Sequence, residues 1–266
     1  MLYCHKKRQE DVMKEQLYTI PLNDAVNAGD ECPFCFVERA LEQDSLDFAL
    51  GSCASYMESD VREVTDKKGF CREHFKKMFD YGNTLGNGWI LKTHYMKIRE
   101  EFASEVKHFA PGKGKMSLAD KLKGRSISNP LVDWVDRKER SCYICDHFRE
   151  IYERYLDTFF ILYRDDENFR KRIKESKGFC LTHFGDLCAG ADRRLSGSEL
   201  EEFYSMLLPL MERNLDRLQE DVNWLIEKFD YRNKDADWKD SKDAVQRGMQ
   251  KLKGGYPADP PLKMKK

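Results

Sequence analysis

The sequence has no apolar run approaching the roughly 18 residues that a membrane-spanning helix requires, so no membrane partner is expected. It has no charge excess either: 46 Lys+Arg stand against 47 Asp+Glu, for a net charge of −1. A nucleic-acid binder usually shows a basic stripe. Here only Lys113 and Lys115 and the tail Lys263, Lys265 and Lys266 are placed to attract phosphate. No apolar segment follows the basic residues of the start, Met1 to Arg8, so a secretory leader is not expected. The predicted location is cytoplasmic, and Met13 offers an alternative start to Met1. Gly112-Lys113-Gly114-Lys115 lacks the spacing of a phosphate-binding loop. No Ser/His/Asp order or carboxylate-rich metal motif stands out, so no catalytic residue is nominated. Strand patterns are missing too, beyond a short extended piece predicted at Leu17–Pro21.

Cysteine, by contrast, is patterned. Cys32-Pro33-Phe34-Cys35 is answered by Cys142-Tyr143-Ile144-Cys145. Gly69-Phe70-Cys71-Arg72-Glu73-His74-Phe75 is answered by Gly178-Phe179-Cys180-Leu181-Thr182-His183-Phe184. The steps from Cys35 to Cys71 and from Cys145 to Cys180 are 36 and 35 positions, the mark of an internal duplication.

Apolar residues recur at helical spacing. Tyr204, Leu208, Met211, Leu215, Leu218, Val222, Leu225 and Phe229 step by 4 and 3, which predicts a long C-terminal amphipathic helix. Ser198 and Glu201 are placed as its capping box, and Pro209 is expected to kink it. Leu91, Tyr95, Ile98, Phe102, Val106 and Phe109 predict the matching helix of the first half. Phe148, Ile151, Tyr152, Tyr155, Phe159 and Leu162 line a helix behind the second Cys-x-x-Cys; behind the first, Val37, Leu41 and Phe48 form a weaker stripe. The fold class read from this is all-α, two helical pseudo-repeats with a C-terminal extension. Its segments are an N-terminal extension 1–30, a first metal-binding repeat 31–110, a linker 111–130, a second metal-binding repeat 131–232, and an extension 233–266 whose end is expected to be loosely ordered.

Donors three residues apart on a helical turn point to one side, so each Cys-x-x-Cys and each Cys-x-x-His is a two-pronged clamp. Zinc closes its shell with four such donors, commonly as Cys3His. Pairing the clamps within each half predicts one site of Cys32, Cys35, Cys71 and His74 and another of Cys142, Cys145, Cys180 and His183, two zinc ions in all. The clamps are placed at helix starts, where the positive end of the dipole favours thiolates. An iron–sulfur cluster remains a second reading, since His can replace Cys as its ligand. Dithiol redox chemistry is a third, although the βαβ pattern of thioredoxin-like proteins is missing. Covalent haem is excluded, because Phe36 and Asp146 stand where its histidine is required. Cys53 and Cys188 have no mate at ligand spacing and are expected as small core residues, and His94 as a hydrogen-bonded structural histidine.

Leu17-Tyr18-Thr19-Ile20-Pro21-Leu22-Asn23-Asp24-Ala25, Glu31-Cys32-Pro33-Phe34-Cys35 and both Gly-Phe-Cys-x-x-His-Phe stretches together resemble a domain-of-unknown-function family found largely in anaerobic Firmicutes such as Clostridia. The resemblance covers roughly residues 14–255 and implies such a host, but no activity. The second clamp departs from it in lacking the proline of the first. The expectation that follows is a metal-binding protein with two structural sites that binds or scaffolds a protein or small-molecule partner, with an enzyme pocket between the repeats as another reading.

Overall fold

The computed structural model describes residues 17–110 and 129–264. Among them are eleven α-helices, two short 3₁₀ turns and no strand. In chain order the helices are α1 (17–27), α2 (Pro33–Leu50), α3 (Ser59–Lys68), α4 (Arg72–Tyr81), α5 (Thr84–His108), α6 (Pro130–Glu139), α7 (Tyr143–Asp165), α8 (Glu167–Glu175), α9 (Leu181–Arg194), α10 (Gly197–Glu227) and α11 (Ala244–Lys253). No described helix is long and apolar enough to cross a membrane. Residues 1–16 and the predicted linker up to residue 128 lie outside the described residues, while its last two residues, Asn129 and Pro130, start α6.

The chain forms two compact units, and neither follows a sequence repeat. Among the described residues one holds 17–41 and Glu150–Pro260; the other holds 42–110, 129–149 and 261–264. The repeat boundaries 31–110 and 131–232 are therefore crossed: α2 and α7 each contribute residues to both units.

The first unit has an aromatic core. Phe34 of α2 lies 5.6 Å from Phe159 of α7 and 6.0 Å from Phe179, ring centre to ring centre, and Phe159 meets Phe169 of α8 at 5.6 Å. Burial of each such ring contributes roughly 1.5–3 kcal/mol. The second unit is built on Leu46, Leu50, Met78, Tyr81, Ile90 and Ile144. Asn83 starts α5 there, its side chain accepting from the Gly86 amide at 2.8 Å and donating to the Leu50 carbonyl at 2.6 Å.

Several sequence expectations change. Leu17–Pro21 is helical, not extended, because Leu22, Ala25 and Val26 are buried at i, i+3 and i+4 spacing and that burial outweighs local propensity. The expected seam of α10 holds at Met211 and Leu218 and is displaced elsewhere. Phe203, Leu207, Leu210, Met211, Asn214 and Leu218 are buried, whereas Leu208, Leu215 and Phe229 are exposed. In α5 the expected stripe is also the outer one, with Tyr95 and Phe102 exposed and Ile90 and Gly86 inside. On each helix a second apolar row competes with the core row, and spacing alone does not rank them. The N-cap of α10 is Ser196, without a side-chain cap bond, so Ser198 is not the capping residue; Pro209 lies inside the helix, which continues to Glu227. Cys53 is exposed in the turn after α2, and Cys188 is half-buried. His94 does hydrogen-bond, Nδ1 to the Asp66 carbonyl at 2.9 Å. The C-terminal segment is packed, not loose: in the first unit Arg39 pairs with Asp259 at 2.8 Å, and in the second Leu262 is buried.

The α10 register is testable by denaturation. Leu207→Ala should cost about 2–5 kcal/mol by leaving a core cavity, whereas Leu208→Ala should stay within about 0.5 kcal/mol. Equal losses would contradict the buried face.

Candidate metal centres

All eight predicted residues gather into two clusters, but with exchanged partners. The first centre is Cys32, Cys35, Cys180 and His183; the second is Cys71, His74, Cys142 and Cys145. Within each, the four potential ligand atoms lie within 4.8 Å of one another. The pairings expected within each half are thus corrected: every Cys-x-x-Cys meets the Cys-x-x-His of the other half. The physical reason lies in α2 and α7. Each begins immediately after the first cysteine of a clamp, so the clamp is the root of a long helix and goes where that helix packs.

The local geometry does follow the sequence. All four clamps sit at helix starts, on α2, α4, α7 and α9. Cys180 is the N-cap of α9, its Sγ 3.5 Å from the His183 amide; Cys142 Sγ lies 3.5 Å from the Cys145 amide. Each centre therefore receives two helix N-termini, whose partial positive charge stabilises thiolate. The repeated glycine before Phe-Cys is explained as well. Gly69 and Gly178 have φ of +67° and +75°, and a Cβ on Gly69 would stand 2.8 Å from the His94 ring.

Both histidines present Nδ1 to the sulfurs. His183 Nδ1 lies 3.2, 3.6 and 3.1 Å from the Sγ atoms of Cys32, Cys35 and Cys180. His74 Nδ1 lies 3.2, 3.3 and 3.3 Å from those of Cys71, Cys142 and Cys145. Their Nε2 atoms face carboxylates, Glu38 at 3.1 Å from His183 and Glu42 at 3.6 Å from His74. At 3.1 Å Glu38 fixes the His183 ring and its tautomer, leaving Nδ1 free to ligate, whereas Glu42 stands at ion-pair distance from His74, whose Nε2 has no hydrogen-bond partner. Glu38 and Glu42, one turn apart on α2, were not found by motif reading. Their only sequence signal is a position three and seven residues after Cys35.

Charge balance tests whether a cation fits. In the second centre burial pushes Cys142 up, but hydrogen bonding to His74 and to the Cys145 and Cys71 backbone brings it down to about 6. Cys145 is driven up to about 12 by burial and by the Cys142 and Cys71 sulfurs. Burial disfavours protonated His74, yet Cys142 and Glu42 outweigh it and raise the ring to about 10. In the first centre Cys180 is lowered by hydrogen bonds to Cys32 and Cys35, while burial raises Cys32 well above its ordinary value. Each cluster thus sets a lowered thiol beside its histidine against a raised one, the pattern of sulfurs crowded together in a buried site. A cation among the sulfurs would relieve that crowding, and the Cys3His donor set fits one.

The exchanged pairing predicts how metal content responds to substitution. Cys35→Ser with Cys180→Ser should lose one ion per chain, no more than either change alone. Cys35→Ser with Cys71→Ser should lose both. Elemental analysis of the purified variants checks this, and the reverse result would restore pairing within halves.

No curated protein and no solved structure matches the chain. A family model matches residues 13–259, a span that contains both centres. The chain therefore belongs to the family of unknown function DUF6062.

Proposed function

We propose that the two centres are structural zinc sites of the Cys3His type and that the protein is a cytoplasmic binding or scaffold protein. The observation that carries the zinc reading is donor spacing. A tetrahedral ion with metal–sulfur bonds of about 2.3 Å sets its sulfurs about 3.8 Å apart. Cys35 and Cys180 stand 3.8 Å apart, as do Cys71 and Cys145. An iron–sulfur cluster distributes its ligands over several irons and needs wider separations, so the compact donor sets favour a single ion. Four protein donors leave no open position, which supports a structural role. The reduced thiols that the ligands require suit a cytoplasmic setting, in keeping with the resemblance to proteins of anaerobic Firmicutes. The partner class is a protein or small molecule; the balanced charge argues against nucleic acid.

An enzyme is the weaker reading. A groove of about 660 Å³ in the first unit is lined by Arg170, Lys171, Lys174 and Arg213. The Ser205 hydroxyl in its wall donates to the Glu202 carbonyl at 2.8 Å and is not paired with a base.

Anaerobic purification followed by elemental analysis and a visible spectrum tests the proposal. About two zinc per chain and a colourless solution are expected, and chelation should lower the melting temperature and the helical circular dichroism. Iron with sulfide and a brown solution would replace zinc by a redox cluster. An unchanged melt after complete chelation would remove the structural role.

A further inference from the structure

The two centres differ in how they are covered. All four ligands of the first are buried, none more than 5% exposed. In the second His74 and Cys142 are buried, but Cys71 and Cys145 are half-buried. The cover over the first centre is the end of α11. Its C-cap Gly254, at φ +78°, comes so close that a Cβ there would stand 3.6 Å from Cys180 Sγ and 3.7 Å from Cys35 Sγ. Three residues earlier Lys251, 1% exposed, donates to the carbonyls of Glu31 at 2.7 Å and Lys177 at 2.6 Å.

Glu31 directly precedes Cys32, and Lys177 lies three residues before Cys180. One ammonium therefore ties together the backbones that carry both clamps. The buried Glu31 carboxylate lies 3.2 Å from Lys251 and is also gripped by Arg217 at 2.6 Å and Arg247 at 3.4 Å. Arg247 belongs to α11 and Arg217 to α10, so the helix is anchored by a multi-partner ion network rather than by one surface pair. Three thiolates around a divalent ion leave a net negative charge, which a buried lysine complements. Among the described residues of the second unit no lysine or arginine is buried.

We propose that α11 is a latch that makes the first centre a permanent site and leaves the second as the exchangeable one, where soft divalent ions enter and leave past Cys71 and Cys145. Metal exchange begins when an incoming ligand reaches the ion or a bound sulfur. The Gly254 backbone blocks that approach at the first centre, and the half-exposed sulfurs admit it at the second. The inference rests on reading both clusters as metal sites.

The test uses the full chain loaded with two zinc and mixed with an excess of a chromogenic pyridylazo chelator. Two release phases of one ion each are expected, separated by at least about tenfold in rate. Cys71→Ser should remove the fast phase, and Lys251→Met should speed the slow phase by about tenfold or more without altering the fast one. The tetrapeptide Lys251-Leu252-Lys253-Gly254 recurs as Lys121-Leu122-Lys123-Gly124, outside the described residues, so Lys121→Met is the matched control. A slow phase that responds to Lys121→Met and not to Lys251→Met would overturn the latch. Should Lys251→Met fail to fold, maleimide labelling of the unmodified zinc-loaded chain, mapped by mass spectrometry, decides. Cys71 and Cys145 should react before Cys32, Cys35 and Cys180, and simultaneous labelling overturns the proposal. A chain that takes up no metal overturns the metal reading and the latch together, whereas two ions lost in one phase overturn the latch alone.

Discussion

Everything in this protein depends on a clamp from one half of the chain meeting a clamp from the other. Cys35 and Cys180 are 145 residues apart, and Cys71 and Cys145 are 74 apart, with the second span nested inside the first. A cross-link over a longer span removes more freedom from the unfolded chain. With a metal in each centre, the gain relative to pairing within halves would be about 1 kcal/mol per centre. The larger consequence is topological: neither half can complete a centre alone, so the four-donor sets exist only when both halves are in place.

That arrangement explains the roles of α2 and α7. Each starts at a cysteine clamp and then runs on as a long helix whose residues are divided between the two units. Along α2, Phe34 packs in the aromatic core of the first unit and Leu46 and Leu50 in the aliphatic core of the second. On the same helix Glu38 orients His183, and Glu42 lies beside His74 at ion-pair distance. Lys77 shares Glu42 with His74, and these contacts hold the Glu42 carboxyl below its ordinary range against the opposing effect of burial. The candidate ligands are thus positioned by packing and by carboxylates that are themselves held, the condition for a precise site.

Much was legible from short-range pattern. The eight Cys and His residues, their grouping into two-pronged clamps and the placement of each clamp at a helix start follow from spacing and capping chemistry, which act within one turn. The helices themselves followed from periodicity, as with Tyr152, Tyr155 and Phe159 on α7, which are buried as expected. The inner face of α10 was less legible, because Tyr204, Leu208 and Leu215 are as well spaced as Phe203, Leu207 and Leu210. Glu38 and Glu42 were unreadable because nothing distinguishes a carboxylate beside a histidine from one in water until the partner element is placed.

The sequence by itself determined the donor set, the all-helical class and the duplication, since each rests on residue types at fixed local spacing. Only the tertiary structure decided which clamp joins which, because both pairings satisfy the same four-donor chemistry and differ only in where α2 and α7 pack. It likewise decided that α11 covers the first centre, since the contacts of Lys251 with Glu31 and Lys177 join residues 220 and 74 positions apart.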